Sequence, residues 1–106
     1  GDMGKMMKAA QETQEKMARM QEDLALIEVI GEAGAGLVKA TATAKGELTG
    51  LEIDPSIFTG DEKEIVEDLI LAAIKDAQAK ASDTSKKELE KITEALGLPA
   101  GMKLPF

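Results

Sequence analysis

A change of hydrophobic period near residue 27 constrains the fold of this chain more than any other feature. Residues 3 to 27 carry a seven-residue apolar repeat, and no Gly or Pro interrupts residues 5 to 30. Its two rows occupy the a and d positions of a heptad, with one polar exception at Thr13. The rows are Met3, Ala10, Met17, Leu24 and Met6, Thr13, Met20, Ile27. The repeat predicts a first helix over about residues 3–25, roughly 35 Å long.

The next segment, about residues 26 to 53, alternates apolar and polar positions with a period of two. Residues 37 to 44 read LVKATATA and residues 48 to 53 read LTGLEI, both with β-branched side chains typical of strands. Lys45-Gly46 separates these runs, and Gly46 suits a tight turn. The pattern predicts three short antiparallel strands in a meander.

A glycine-rich stretch, GEAGAGLVK at residues 31 to 39, raises the question of a phosphate-binding loop. A P-loop needs Lys and then Ser or Thr after its last glycine, where this chain has Leu37 and Val38. The dinucleotide fingerprint also fails, because Lys39 stands where its third glycine belongs. We therefore predict a hairpin loop between strands 1 and 2 and no nucleotide cofactor.

A second long helix is predicted over about residues 61–96. Asp54-Pro55 ends the third strand, and Thr59 precedes Glu62 at the spacing of a capping box. An apolar stripe then runs to Leu96, and Gly97 fits a C-cap. Residues 82 to 85, Ser-Asp-Thr-Ser, are poor helix formers, so the helix either breaks there or continues for about 54 Å. The tail, residues 97–106, is predicted to be irregular.

The predicted helices are longer than the predicted strands, which at five or six residues span roughly 17–20 Å. Parts of both helices must therefore project beyond the sheet or meet another chain. Because their apolar stripes continue into the projecting parts, a homodimer is the simplest expectation. The predicted fold is α+β, an α-β-β-β-α domain over residues 1–106 that dimerises with projecting helical arms.

Composition excludes several classes of function. The chain has no Cys and no His, which removes thiolate chemistry and the commonest general base and metal ligand. No serine has a base to activate it, so we expect no enzyme activity, no metal, no cofactor and no small-molecule substrate. No run of about 18 apolar residues is present, so no membrane span is expected, and a cytoplasmic location is the default.

The distribution of charge is more informative than the net charge of −7, which by itself argues against a polyanionic partner. Residues 3 to 19 carry a local charge of +2 and residues 80 to 91 a local charge of +1. Residues 61 to 68 carry a local charge of −4, at the predicted start of the second helix. The two regions expected to project are thus the most basic.

Several segments, taken in order, resemble the YbaB/EbfC family of bacterial nucleoid-associated proteins. They are KMMKAAQETQEKMARMQEDL, GEAGAGLVKAT, LEIDPS, DLILAAIKDA and the closing LPAGMKLPF. The resemblance implies an α-β-β-β-α core, a homodimer with tweezer-like arms, binding of double-stranded DNA at the arm ends, a nucleoid location, and no enzyme activity.

The resemblance assigns DNA contact to regions, which map onto about Lys5 to Arg19 and Lys80 to Lys91. The candidate phosphate contacts are Lys5, Lys8, Lys16, Arg19, Lys80, Lys86, Lys87 and Lys91. Lys5 and Lys8 are the strongest candidates because neighbouring acids neutralise them least. With Arg19 as its one arginine, the chain favours phosphate contacts over base readout. The alternative is a protein–protein interaction module whose arms clasp a protein partner.

Overall fold

The computed structural model describes residues 2–97 and has the predicted α-β-β-β-α order. Its elements are α1 (Asp2–Leu24), β1 (Glu28–Ala33), β2 (Val38–Thr43), β3 (Leu48–Ile53), a short 3-10 turn (Pro55–Ile57) and α2 (Lys63–Ala95). The predicted α+β architecture is therefore confirmed. Apart from Gly97, the predicted irregular tail lies outside the described residues.

The three strands form one antiparallel sheet in the order β1-β2-β3. Gly31 of β1 lies opposite Ala40 of β2, which in turn lies opposite Leu51 of β3. Val38, Ala40 and Ala42 of the central strand are completely buried. This alternation matches the predicted period of two and directs one face of the sheet toward α2.

Helix α2 crosses the sheet mainly over β1 and β2, and small residues let it approach closely. A Cβ at Gly31 would overlap the backbone nitrogen of Ala77 and the carbonyl oxygen of Ala73. Ala73 and Ala77 are themselves completely buried. The prediction that the glycine-rich stretch is a loop is therefore wrong for Gly31, which lies in β1. It is confirmed for the residues that follow β1, because Gly34 to Leu37 form the hairpin turn.

The second helix is continuous through the Ser-Asp-Thr-Ser segment and is about 50 Å long. Gly97 follows it with a φ of +73°, the left-handed conformation expected at a helix C-terminus. The predicted capping box is wrong. The Thr59 hydroxyl donates to the Glu62 carboxylate (2.8 Å) instead of accepting from the Glu62 backbone N–H. Glu62 is the N-cap of α2, and its side chain accepts no hydrogen bond from the backbone of the helix.

Two parts of the molecule differ in packing. The sheet end consists of the three strands with residues 63–77 of α2. The helical arm consists of α1 with residues 78–95 of α2, packed antiparallel through a narrow seam. The seam buries Met17, Met20 and Leu24 of α1 against Ala44, Leu89 and Ile92. Together they give an elongated molecule of 73 × 22 × 17 Å.

Candidate nucleic-acid interface

The first three turns of α1 form the most exposed end of the helical arm. Residues 2 to 12 are all exposed, Lys5 and Lys8 among them. Within residues 2–97, neither lysine has an ion-pair partner. The four basic residues of α1 lie within an arc of about 80° at 3.6 residues per turn. They are Lys5, Lys8, Lys16 and Arg19.

The seam between the helices brings basic residues of both together. Lys16 and Arg19 of α1 and Lys91 of α2 line one shallow groove of about 210 Å³, the arm groove. Its other charged lining residues are Asp23 and Glu88. Lys91 lies 3.1 Å from the Glu88 carboxylate, so part of its charge is locally compensated. The arm groove thus joins three of the sequence-predicted cations, but with acids between them.

Lys80 has a structural role at the free edge of β1. Its Nζ donates to the Ile30 carbonyl (2.9 Å) and lies 3.0 Å from Oδ2 of Asp76. The same oxygen of Asp76 accepts the backbone N–H of Glu32 at 3.0 Å. This N–H and, to a lesser extent, Lys80 lower the pKa of Asp76 below its ordinary value. Asp76 and Lys80 therefore satisfy edge groups of β1 and fasten α2 to the sheet.

The two remaining candidate lysines of α2, Lys86 and Lys87, lie on different sides of the helix. Lys87 pairs with Asp83 at 2.9 Å, and that hydrogen bond raises the pKa of Lys87 above its ordinary value. Lys86 points to the other side, where it lines a larger groove together with Lys45 of the β2–β3 turn. Sequence reasoning missed Lys45, because a lysine before a turn glycine indicates only a turn.

The glycine hairpin offers no comparable basic surface. The backbone of Gly34, Ala35 and Gly36 is left-handed, as the tight turn requires. The cleft beside the hairpin is lined by one cation, Lys39, and by the acids Glu52 and Asp54. The N–H of Ser56 donates to the Asp54 carboxylate and lowers its pKa, which keeps this cleft anionic. Among residues 2–97, no cluster of three or more acids is arranged to hold a metal ion.

Comparison with known families identifies the family of this chain. The model of the YbaB/EbfC DNA-binding family matches residues 1–96, nearly the whole chain. The chain belongs to this family. Among solved structures, the crystal structure of the uncharacterized protein HP0035 from Helicobacter pylori is similar, with a TM-score of 0.75 at 18% identity. The match covers 87% of this chain and 97% of HP0035, and it supports the fold.

Membership of a YbaB/EbfC DNA-binding family supports DNA binding by this chain but assigns it to no residue. The basic side chains differ in exposure and in pairing. Lys5 and Lys8 are exposed and have no ion pair in residues 2–97, whereas Lys80 is held against β1. No helix in that part of the chain is long and apolar enough to cross a membrane.

Proposed function

We propose that this protein binds double-stranded DNA as a homodimer, mainly through phosphate contacts, and organises the nucleoid or regulates genes in the cytoplasm. The observation that carries the proposal is membership of a DNA-binding family, joined to basic side chains along the helical arm. A net charge of −7 makes this local concentration necessary, because phosphate binding depends on nearby Lys and Arg.

The proposed phosphate contacts follow from exposure and pairing. Lys5 and Lys8 come first, because they are exposed at the end of the arm without an ion pair in the described chain. Lys16, Arg19, Lys86, Lys87 and Lys91 follow on the rest of the arm. Lys80 comes last, because binding a phosphate would cost its contacts with Ile30 and Asp76.

An uncovered apolar face supports the proposed homodimer. Leu51 and Leu48 of β3 lie opposite Ala40 and Ala42, on the face of the sheet that α2 covers over β1 and β2. Both leucines are nevertheless half exposed, as is Leu71 on α2. Exposed leucines on a sheet and on the helix that covers part of it are typical of a subunit interface, and a two-fold axis would pair this face with its own copy.

The test of the proposal is fluorescence anisotropy of a labelled duplex of about 30 base pairs, with the oligomeric state measured by light scattering. Binding by a dimer should weaken by roughly 10³-fold or more between about 50 and 200 mM salt if six or more phosphates are contacted. Absence of saturable binding at the lower salt, with the mass of a dimer intact, would overturn the DNA-binding proposal.

Charge reversal tests the ranking of the lysines. The double variant K5E/K8E should weaken DNA binding by about tenfold or more and reduce the salt slope, because each lost phosphate contact lowers that slope by roughly one. The dimer should persist, since both lysines lie on the first turns of α1, outside the leucine face proposed as the subunit interface. The matched control K63E/K75E changes the net charge equally on the first half of α2. Equal losses in the two variants would mean that net charge, not the end of the arm, controls affinity.

One observation favours a second function: the end of α1 that carries Lys5 and Lys8 also exposes three methionines. Met3, Met6 and Met7 are 80%, 70% and 66% exposed, and methionine suits adaptable protein-binding surfaces. A protein–protein interaction module would use them to clasp a partner. Salt distinguishes the two functions, because apolar contact with a partner would not weaken steeply with ionic strength.

A further inference from the structure

Helix propensity does not explain why the Ser-Asp-Thr-Ser segment of α2 is helical. These residues disfavour helix interiors, yet α2 continues through them. Ser82 and Ser85 both line a groove of about 460 Å³ between the end of α1, the β2–β3 turn and the middle of α2. The small hydroxyl side chains keep this groove open and give it hydrogen-bond donors.

The groove has a buried apolar floor and polar walls. Its floor contains Leu24, Ala44 and Ala81, all almost completely buried. Its walls carry Lys45 and Lys86, the two serines, and the amides Gln21 and Gln78. We call it the Lys45 groove.

The β2–β3 turn holds the backbone of Lys45 in place. The N–H groups of Lys45 and Glu47 both donate to the Thr43 hydroxyl, at 3.3 and 3.4 Å. Thr43 is buried, and the Gly46 N–H donates to its carbonyl at 2.9 Å. A backbone fixed in this way reduces the entropy lost when the lysine side chain binds a ligand.

The charge of the Lys45 groove differs from that of the other polar grooves. Its lining contains two lysines and no carboxylate. The arm groove includes Asp23 and Glu88, and the hairpin cleft includes Glu52 and Asp54. In a chain with 20 acidic residues, an acid-free groove with two cations and several neutral donors selects for an anion.

We propose that the Lys45 groove binds a phosphate group of the DNA backbone. Lys45 and Lys86 supply the charge, and the hydroxyls of Ser82 and Ser85 donate hydrogen bonds. The inference rests on the proposed function and extends it, because it moves part of the DNA contact from the end of the helical arm to its base and adds Lys45 to the contact set.

The first test compares K45E/K86E with the charge-matched control K63E/K75E in the duplex titration, at equal dimer content by light scattering. The expected result is a loss of affinity of about tenfold or more and a reduced salt slope for K45E/K86E alone. If the wild type binds the duplex and both variants change its affinity equally, the assignment of the groove is overturned. Absence of wild-type binding would instead overturn the proposed function.

A second variant separates binding from structure. S82A/S85A replaces poor helix formers with the best one, so its thermal stability should not fall. A purely structural role for the serines predicts unchanged affinity, whereas the proposal predicts several-fold weaker DNA binding. Affinity equal to that of the wild type would contradict the proposal.

The source of the phosphate is tested by nuclear magnetic resonance of the backbone amides of residues 45, 82 and 85. Duplex DNA is added in one titration and inorganic phosphate, at constant ionic strength, in another. Saturable shifts with duplex, and none with millimolar inorganic phosphate, are expected. Saturable shifts with inorganic phosphate alone would assign the groove to a free anion and overturn its role in DNA binding.

Discussion

The sheet end and the helical arm use different means to hold the same helix. At the sheet end, α2 approaches β1 until Gly31 meets the backbone of Ala73 and Ala77. In the helical arm, α2 meets α1 through a single row of side chains centred on Met17, Met20 and Leu24. The contact between α2 and β1 depends on the missing side chain of Gly31. The contact between α2 and α1 depends on long, flexible side chains such as those of Met17 and Met20.

This difference in packing separates stability from function. Close contact between α2 and the strands leaves Val38, Ala40 and Ala42 without exposure, so the sheet end should open only on global unfolding. The first half of α1 has few apolar contacts and should open more readily. Lys5 and Lys8, which come first among the proposed DNA contacts, lie in this less stable part. Binding would then order the arm while the sheet end stays unchanged.

The largest expected effect comes from adding one methyl group at the sheet end. Gly31→Ala places a Cβ against helix backbone that cannot move aside, and the free energy of unfolding should fall by about 3 kcal/mol or more. Gly50→Ala is the matched control in β3, where the nearest atoms lie at an ordinary 3.7 Å from the new Cβ. Urea unfolding measures both, and a Gly31→Ala variant as stable as Gly50→Ala would refute the close approach.

A cavity in the seam should weaken the helical arm. Leu24 is only 1% exposed, so Leu24→Ala should cost about 2–5 kcal/mol. Leu26, which is 81% exposed, gives the control Leu26→Ala, with an expected change within about 0.5 kcal/mol. Hydrogen exchange should show faster opening of α1 in Leu24→Ala, with less change at β2. Uniform acceleration across both regions would contradict the division of the molecule into two parts.

The smallest effect is expected where the two regions meet, at the edge of β1. Asp76→Asn removes a carboxylate whose folded-state pKa is lowered, so its stabilisation is present above the ordinary pKa near 3.8 and is lost as pH falls through the folded value. The urea midpoint should therefore fall in Asp76→Asn at neutral pH, and the difference from wild type should shrink below about pH 4.

The control for this variant is Asp61→Asn, because the Asp61 carboxylate accepts no hydrogen bond within residues 2–97. Its urea midpoint should remain close to that of the wild type at neutral pH. The same difference for both variants, or a difference for Asp76→Asn that is independent of pH, would contradict a stabilising role for the Asp76 carboxylate.

Local patterns in the sequence predicted the elements but not their contacts. The heptad rows, the period-two strands and Gly97 depend on neighbouring residues, and the structure agrees with each. Adjacent glycines usually indicate a turn, so the local pattern predicts a loop at Gly31, whereas the need for glycine there arises from a helix more than 40 residues away in the chain. Helix α2 continues through the serines because the residues on either side of them are packed. Ala81 is buried, and Leu89 and Ile92 pack against the seam with α1, so tertiary contact overrides propensity.

From the sequence, the candidate site can be predicted as regions of the chain but not as contacts between residues. Exposure of Lys5 and Lys8 follows from the heptad, which places both outside the a and d rows. The contact of Lys80 with a backbone carbonyl of β1, 50 residues away, corresponds to no local pattern. The same holds for Lys45 and Lys86, which share a groove only because the β2–β3 turn lies beside the middle of α2.

Hydrogen exchange with and without duplex DNA tests most directly whether the helical arm, and not the sheet end, is the DNA-binding region. DNA binding by the helical arm predicts that saturating duplex slows exchange in α1, in residues 78–95 of α2 and at the β2–β3 turn, with little change in β1 and in residues 63–77. Protection confined to β1 and residues 63–77, under conditions where the duplex is bound, would contradict it.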